Sequence, residues 1–121
     1  MARILIVDDS PTETYRFKEI LERHGHAVLE ATNGADGVAV SRAELPDLVL
    51  MDVVMPGING FQATRKITKD PETAHIPVIM VSTKSQVTDR MWGLRQGASE
   101  YLTKPVNESD LIAAIAKVLS K

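Results

Sequence analysis

The stretch that decides the fold is Arg3–Pro11, "RILIVDDSP". Four consecutive apolar residues, Ile4 to Val7, run straight into Asp8 and Asp9, and the chain then turns at Ser10-Pro11. An unbroken apolar run of this length suits a parallel strand covered on both faces. The two acids at its end are costly. About 4 Å apart, two carboxylates repel by roughly 4 kcal/mol at an effective dielectric near 20. A fold that keeps both must offset the repulsion with positive charge. Ser10, Pro11, Thr12 and Glu13 then read as a capping box with proline at the first helical position. An aspartate after a strand is often no more than the cap of the next helix. Here Ser10 fills that role, and two acids are left over.

The same alternation continues along the chain. Short apolar runs occur at Ala27–Ala31, Leu48–Met51, Val78–Val81 and Tyr101–Thr103. The first of these alternates more and fits an edge strand. Amphipathic stretches lie between the runs. Phe17, Ile20 and Leu21 form a stripe that Gly25 closes, and Asn33 caps a helix through Val38 to about Ala43. Further helices are predicted from about Gly60 to Lys69 and from about Ser85 to Gln96, the latter ended by Gly97. The last starts at Asn107 and carries Leu111, Ile112, Ile115, Val118 and Leu119 at helical spacing. Five β/α units with right-handed crossovers make an α/β, doubly wound parallel sheet with helices on both faces.

Composition narrows the function classes. The 121 residues fit one domain, expected to span 1–121 with no effector domain attached. Fourteen basic against sixteen acidic side chains leave a net charge of -2, which makes no electrostatic case for nucleic acid or an anionic membrane. No cysteine is present, so disulfides, thiolate metal sites and cysteine nucleophiles are excluded and a cytoplasmic setting is allowed. The acids at Asp8 and Asp9 interrupt any signal-peptide core, and no apolar run approaches the ~20 residues of a membrane span.

Open α/β sheets place their sites outside the carboxyl ends of the strands. That edge collects Asp8 and Asp9 from the first strand, Asp52 from the third, Ser82 and Thr83 from the fourth and Lys104 from the fifth. Three carboxylates without cysteine or paired histidines form a hard-oxygen site suited to Mg²⁺. Such a site attracts phosphoryl oxygens, Lys104 and Ser82 suit phosphate, and a carboxylate can itself become an aspartyl-phosphate. Taken singly, each feature has a plainer meaning. Asp52 could precede a turn, "PGING" (Pro56–Gly60) could be only that turn, Ser82 could be a satisfied strand-end hydroxyl, and Lys104 a solvated lysine. Their meeting at one edge, each from a different strand, favours a site.

The segments "ILIVDDS", "DLVLMDVVMPGINGFQATRKI", "IPVIMVSTK" and "GASEYLTKPV", in this order, resemble the receiver domain of two-component response regulators over the whole chain. The resemblance implies a CheY-like, flavodoxin-like (βα)5 fold with strand order 2-1-3-4-5. It implies Asp52 as phosphoryl acceptor from a histidine kinase. It implies Mg²⁺ held by Asp8, Asp9, Asp52 and the backbone carbonyl of Val54, Ser82 as the hydroxyl that moves toward the phosphoryl group, and Lys104 as its ionic partner. Tyr101 matches the aromatic switch, and Lys104-Pro105 matches a cis peptide bond. "MARILIVDDSPTE" and "MPGINGFQATRK" are most similar to stand-alone regulators of type IV pilus twitching motility. Val54 and Lys84 depart from chemotaxis CheY, where an amide and an acid stand.

Two other functions compete with this reading. A Mg²⁺-dependent phosphohydrolase with an aspartyl nucleophile would want a second acid two residues beyond Asp52, where Val54 stands. A flavin carrier would want a neutral phosphate loop, whereas "DDSPTE" is acidic. His24, His26 and His75 have no common ligand spacing and read as surface or cap residues. In the fourth helix Val87, Met91 and Leu94 share a face from which Trp92 is turned away. An exposed tryptophan is a common binding anchor, although it could equally pack on a loop. Trp92, Arg90, Arg95 and Tyr101 are therefore the expected output surface toward an unidentified partner protein, on the fourth helix, fifth strand and fifth helix. Tyr101 is expected to rotate inward as Ser82 moves.

Overall fold

The computed structural model describes residues 1–121. Five strands, β1 (Arg3–Val7), β2 (Ala27–Ala31), β3 (Leu48–Asp52), β4 (Val78–Ser82) and β5 (Glu100–Thr103), alternate with five helices. These are α1 (Pro11–Arg23), α2 (Gly34–Glu44), α3 (Gly60–Lys69), α4 (Val87–Arg95) and α5 (Glu108–Leu119). All strand pairs are parallel, in the order β2-β1-β3-β4-β5. This is the flavodoxin-like (βα)5 arrangement, with its topological switch between β1 and β3. β2 is an edge strand, and most of its residues are partly or fully exposed.

Successive strand residues point to opposite faces, so each inner strand feeds two cores. Ile4, Ile6, Leu48, Leu50, Ile79 and Val81 pack with Phe17, Ile20 and Leu21 of α1 and Leu111, Ile115 and Val118 of α5. Leu5, Val7, Val49, Met51, Val78 and Met80 pack on the other face with Ala63 and Ile67 of α3 and with Tyr101. The two-sided burial accounts for the unbroken apolar runs. It also locks the register in which Asp52 lies beside Val81 and Val7 beside Met51.

The helix starts follow the caps. The Asn33 side chain accepts from the Asp36 N–H at 2.8 Å, and the Asn107 side chain from Asp110 at 2.8 Å. Asn59 and Gln62 form a reciprocal capping box at 2.9 and 2.8 Å. At α1 only half of the expected box exists. Ser10 Oγ accepts from the Glu13 N–H at 3.3 Å, but the Ser10 N–H donates to Asp8 Oδ1 at 2.9 Å instead of to Glu13.

The fourth helix differs most from expectation. It starts at Val87 rather than near Ser85, because Gln86 is its cap and donates its N–H to Asp89 Oδ2 at 3.2 Å. The Val87, Met91 and Leu94 stripe is not a packing face: these residues are 72, 58 and 49% exposed. The buried position is Gly93, whose missing side chain lets α4 lie on Met80 and Tyr101. A Cβ there would come within 2.9 Å of both side chains. The helix approaches the sheet through its smallest residue, and its large apolar residues remain outside.

Candidate functional site

Four loops converge at the carboxyl edge of the sheet. The Asp8 N–H donates to the Ala31 carbonyl at 3.1 Å, which carries the β1–β2 ladder one residue past the strand. Asp52 is the last residue of β3, and the turn behind it is drawn in tightly. The Gly60 N–H donates to the Val53 carbonyl at 2.8 Å, and a Cβ on Gly60 would lie 2.0 Å from the Asp52 carbonyl oxygen. Only glycine allows α3 to begin this close to the strand end. Beyond β5, the Lys104 N–H donates to the Ser82 carbonyl at 2.8 Å, and the Lys104-Pro105 peptide is cis.

These anchors bring the charged groups together. Carboxylate oxygens of Asp8, Asp9 and Asp52 lie within 4.8 Å of one another. Lys104 Nζ donates to Asp8 Oδ2 at 3.1 Å and to Asp52 Oδ1 at 3.3 Å. The Asp8, Asp52 and Lys104 side chains are 3, 10 and 12% exposed, so water screens them little. Asp9 is exposed. Burial, reinforced by the Asp8 charge, pushes the Asp52 carboxyl up to about 6 against the opposing pull of Lys104. Burial would lower the Lys104 ammonium, but the Asp52 and Asp8 carboxylates outweigh it and hold its pKa above the ordinary lysine value. One ammonium between two carboxylates, with a third nearby, leaves the site short of positive charge.

The donor set fits Mg²⁺: three carboxylates and no nitrogen or sulfur ligand. The Val54 carbonyl receives no hydrogen bond within the chain and is available as a further oxygen. The Val54 side chain is 58% exposed, so its apolar character meets solvent beside the acids. A hollow of about 310 Å³, lined by Asp8, Asp9, Thr14, Tyr15, Lys18 and Glu30 among others, opens at this edge. A larger depression of about 700 Å³ lies at the opposite end of the strands, near Met1, Asp47, His75 and Lys121. It holds no cluster of acids; the acidic trio lies at the other end of the strands.

The remaining predicted residues divide. Ser82 is fully buried, and its Oγ accepts from the Lys84 N–H at 3.1 Å without bonding Asp52. Tyr101 corrects an expectation. Its ring is 2% exposed and lies inside, so it contributes no surface to the expected output face. The Gly93 gap receives the ring, the phenol donates to the Lys84 carbonyl at 2.6 Å, and Arg90 closes over it. The Arg90 guanidinium donates to the Tyr101 carbonyl at 2.9 Å and sits 5.6 Å from the ring centroid. Trp92 stands half exposed and Arg95 exposed, both on α4 and neither joined to the acidic cluster.

One residue at the site escaped the sequence reading. Glu13 Oε1 lies 3.7 Å from Lys104 Nζ, a third acid at the ammonium. Its position in the capping-box pattern disguised it. Of the histidines, His26 Nδ1 accepts from the Ala2 N–H at 3.1 Å and His24 pairs with Glu108 at 2.9 Å, so both hold local structure.

Comparison with known proteins agrees with this geometry. Residues 4–116 match the response regulator receiver domain family. The chain is 66% identical over 120 residues to Protein PilH of Pseudomonas aeruginosa, covering 99% of each chain. It is 40% identical to response regulator PleD of Caulobacter vibrioides, covering 94% of this chain and 25% of that one. Among solved structures, a CheY-like receiver domain protein of Methanospirillum hungatei superposes with a TM-score of 0.92 at 32% identity, covering 99% of this chain and 94% of that one. Chemotaxis protein CheY4 of Vibrio cholerae superposes with a TM-score of 0.91 at 27% identity, covering 98% of each. With its acids and lysine at the carboxyl edge of a 2-1-3-4-5 sheet, the chain belongs to the receiver domains of two-component response regulators.

Proposed function

We propose that Asp52 accepts a phosphoryl group from a histidine kinase and that the modified chain controls binding to an output protein. The observation that carries this is the Asp52 carboxylate itself: buried at the end of the central strand, 3.3 Å from Lys104 and clustered with two further acids. With its carboxyl pushed up to about 6, it still ionises at pH 7 and is able to act as a nucleophile. A carboxylate oxygen bonds to phosphorus as the bond to the donor imidazole nitrogen breaks, and the electron pair leaves with the imidazole. Asp8, Asp9, Asp52 and the Val54 carbonyl would hold Mg²⁺, which supplies the charge neutralisation that phosphoryl oxygens need beside carboxylates. Lys104 then pairs with a phosphoryl oxygen, and Ser82 turns from the Lys84 N–H to donate to another.

A phosphoryl group adds about -1.5 to -2 charge and three acceptor oxygens. Turning Ser82 removes the acceptor of the Lys84 N–H, while the Lys84 carbonyl anchors Tyr101. The change therefore reaches Tyr101 and Arg90 through the β4–α4 loop and alters the α4–β5–α5 face, with Trp92 and Arg95 exposed on it. The similarity to PilH, together with the N-terminal and "MPGINGFQATRK" segments, supports a role in type IV pilus twitching motility in a cytoplasmic setting. A phosphohydrolase reading is disfavoured by Val54, which puts an exposed apolar side chain where a second acid would be needed.

Incubation with a small acyl phosphate and Mg²⁺ should raise the intact mass by one phosphoryl group. Asp52→Asn should abolish the rise, and Lys104→Ala should retain part of it. A full mass shift in Asp52→Asn overturns the assignment.

A further inference from the structure

We propose that Glu13 is a positioning residue for Lys104, holding its ammonium beside Asp52 when a divalent cation occupies the oxygens of Asp8, Asp9 and Asp52. The inference rests on reading that trio as a Mg²⁺ site.

The ammonium now donates to Asp8 Oδ2 and Asp52 Oδ1, at 3.1 and 3.3 Å. Both carboxylates belong to the acidic trio. A cation bound there competes for the same oxygens and repels Lys104 by like charge. The Lys104 side chain is only 12% exposed, so leaving its ammonium unpaired there is costly. The other carboxylate within ion-pair range is Glu13, at 3.7 Å.

Glu13 is free for this task because the capping box is half made. Asp8 Oδ1 takes the Ser10 N–H that the Glu13 side chain would otherwise accept. The Ser10 cap still fixes the Glu13 backbone at 3.3 Å, so the first turn of α1 presents the carboxylate toward Lys104. The Glu13 side chain is 29% exposed. An approach of about 0.8 Å turns the ion pair into a charge-assisted hydrogen bond. Asp8 thus sets up the arrangement twice: one oxygen releases Glu13 from the cap, and the other shares Lys104 with it.

The test is a double-mutant cycle read by Mg²⁺ affinity, not by phosphorylation. MgCl₂ is titrated into the wild type, Glu13→Gln, Lys104→Met and the double variant, following the amide NMR shift of Ser10. Glu13→Gln should weaken Mg²⁺ binding about two- to five-fold, the range of a partly exposed ion pair. In the Lys104→Met background the same substitution should change affinity by less than half of that. Equal loss in both backgrounds would make Glu13 a long-range charge on the metal and overturn the proposal, as would no loss in the wild-type background. Intact Mg²⁺ binding without Glu13–Lys104 coupling overturns this inference alone. A wild-type protein that takes up no Mg²⁺ overturns it together with the metal-site reading.

Discussion

Asp52 shows how much of a residue's character comes from its surroundings. Its carboxyl titrates near 6 rather than 3.8, because burial and Asp8 together outweigh Lys104. The folded state therefore holds this proton more tightly than the unfolded chain does. The stabilisation tied to that proton is complete below about pH 4 and is lost as pH rises through about 6, by roughly 3 kcal/mol in all. Asp52→Asn removes this titration while keeping the shape of the side chain. In metal-free buffer, denaturant unfolding should find the variant gaining stability relative to wild type between pH 4 and pH 7.5. A gap that stays constant or narrows over that window would contradict the buried-acid account.

At the scale of elements, the junctions carry more of the site than the elements do. The β3–α3 junction depends on Gly60, where a Cβ would meet the Asp52 carbonyl at 2.0 Å. Glycine to alanine at the start of a helix is ordinarily favourable by up to about 1 kcal/mol. Here backbone must move, so Gly60→Ala should instead destabilise by about 3 kcal/mol or more. Urea unfolding measures this directly, and a neutral or stabilising result would mean that the strand end and α3 can part without loss. The α4 start shows the converse. Its periodicity was legible, but the exposed stripe of Val87, Met91 and Leu94 has the same spacing as a buried one. Period alone cannot say which side of a helix meets the sheet when that side is a glycine.

For the molecule as a whole, the acids at the strand ends are a stored repulsion that the two cores hold in place. A cation that binds only the folded chain relieves it and stabilises the fold by linkage. At ten times its Kd the gain is about 1.4 kcal/mol, worth several degrees in Tm for a chain of this size. MgCl₂ should therefore raise the thermal midpoint relative to EDTA-treated protein, and Asp9→Ala should abolish the rise. An undiminished rise in that variant would place the cation elsewhere. Asp9 suits this test because it is exposed and forms none of the Lys104 bonds, so its loss leaves the resting network intact.

The amino-acid sequence by itself determined the alternation of strands and helices, most of the caps and the set of residues at the carboxyl edge. These depend on interactions within a few residues: apolar period, a side chain reaching the third amide ahead, an acid directly after a strand. Parallel winding then carries every strand end to the same edge, so the strand pattern alone brings Asp8, Asp9, Asp52, Ser82 and Lys104 to it. Only the tertiary structure decided how those groups pair. Lys104 is 96 residues from Asp8 and 52 from Asp52, and its choice of oxygens follows from sheet register and loop closure. Glu13 turned from a helix cap to the lysine because Asp8 took the Ser10 amide first. Tyr101 lies inside because Gly93, eight positions away, leaves a gap the size of a ring edge. Competition for one amide and the filling of one gap are settled by atoms distant in the chain, and no local pattern records their outcome.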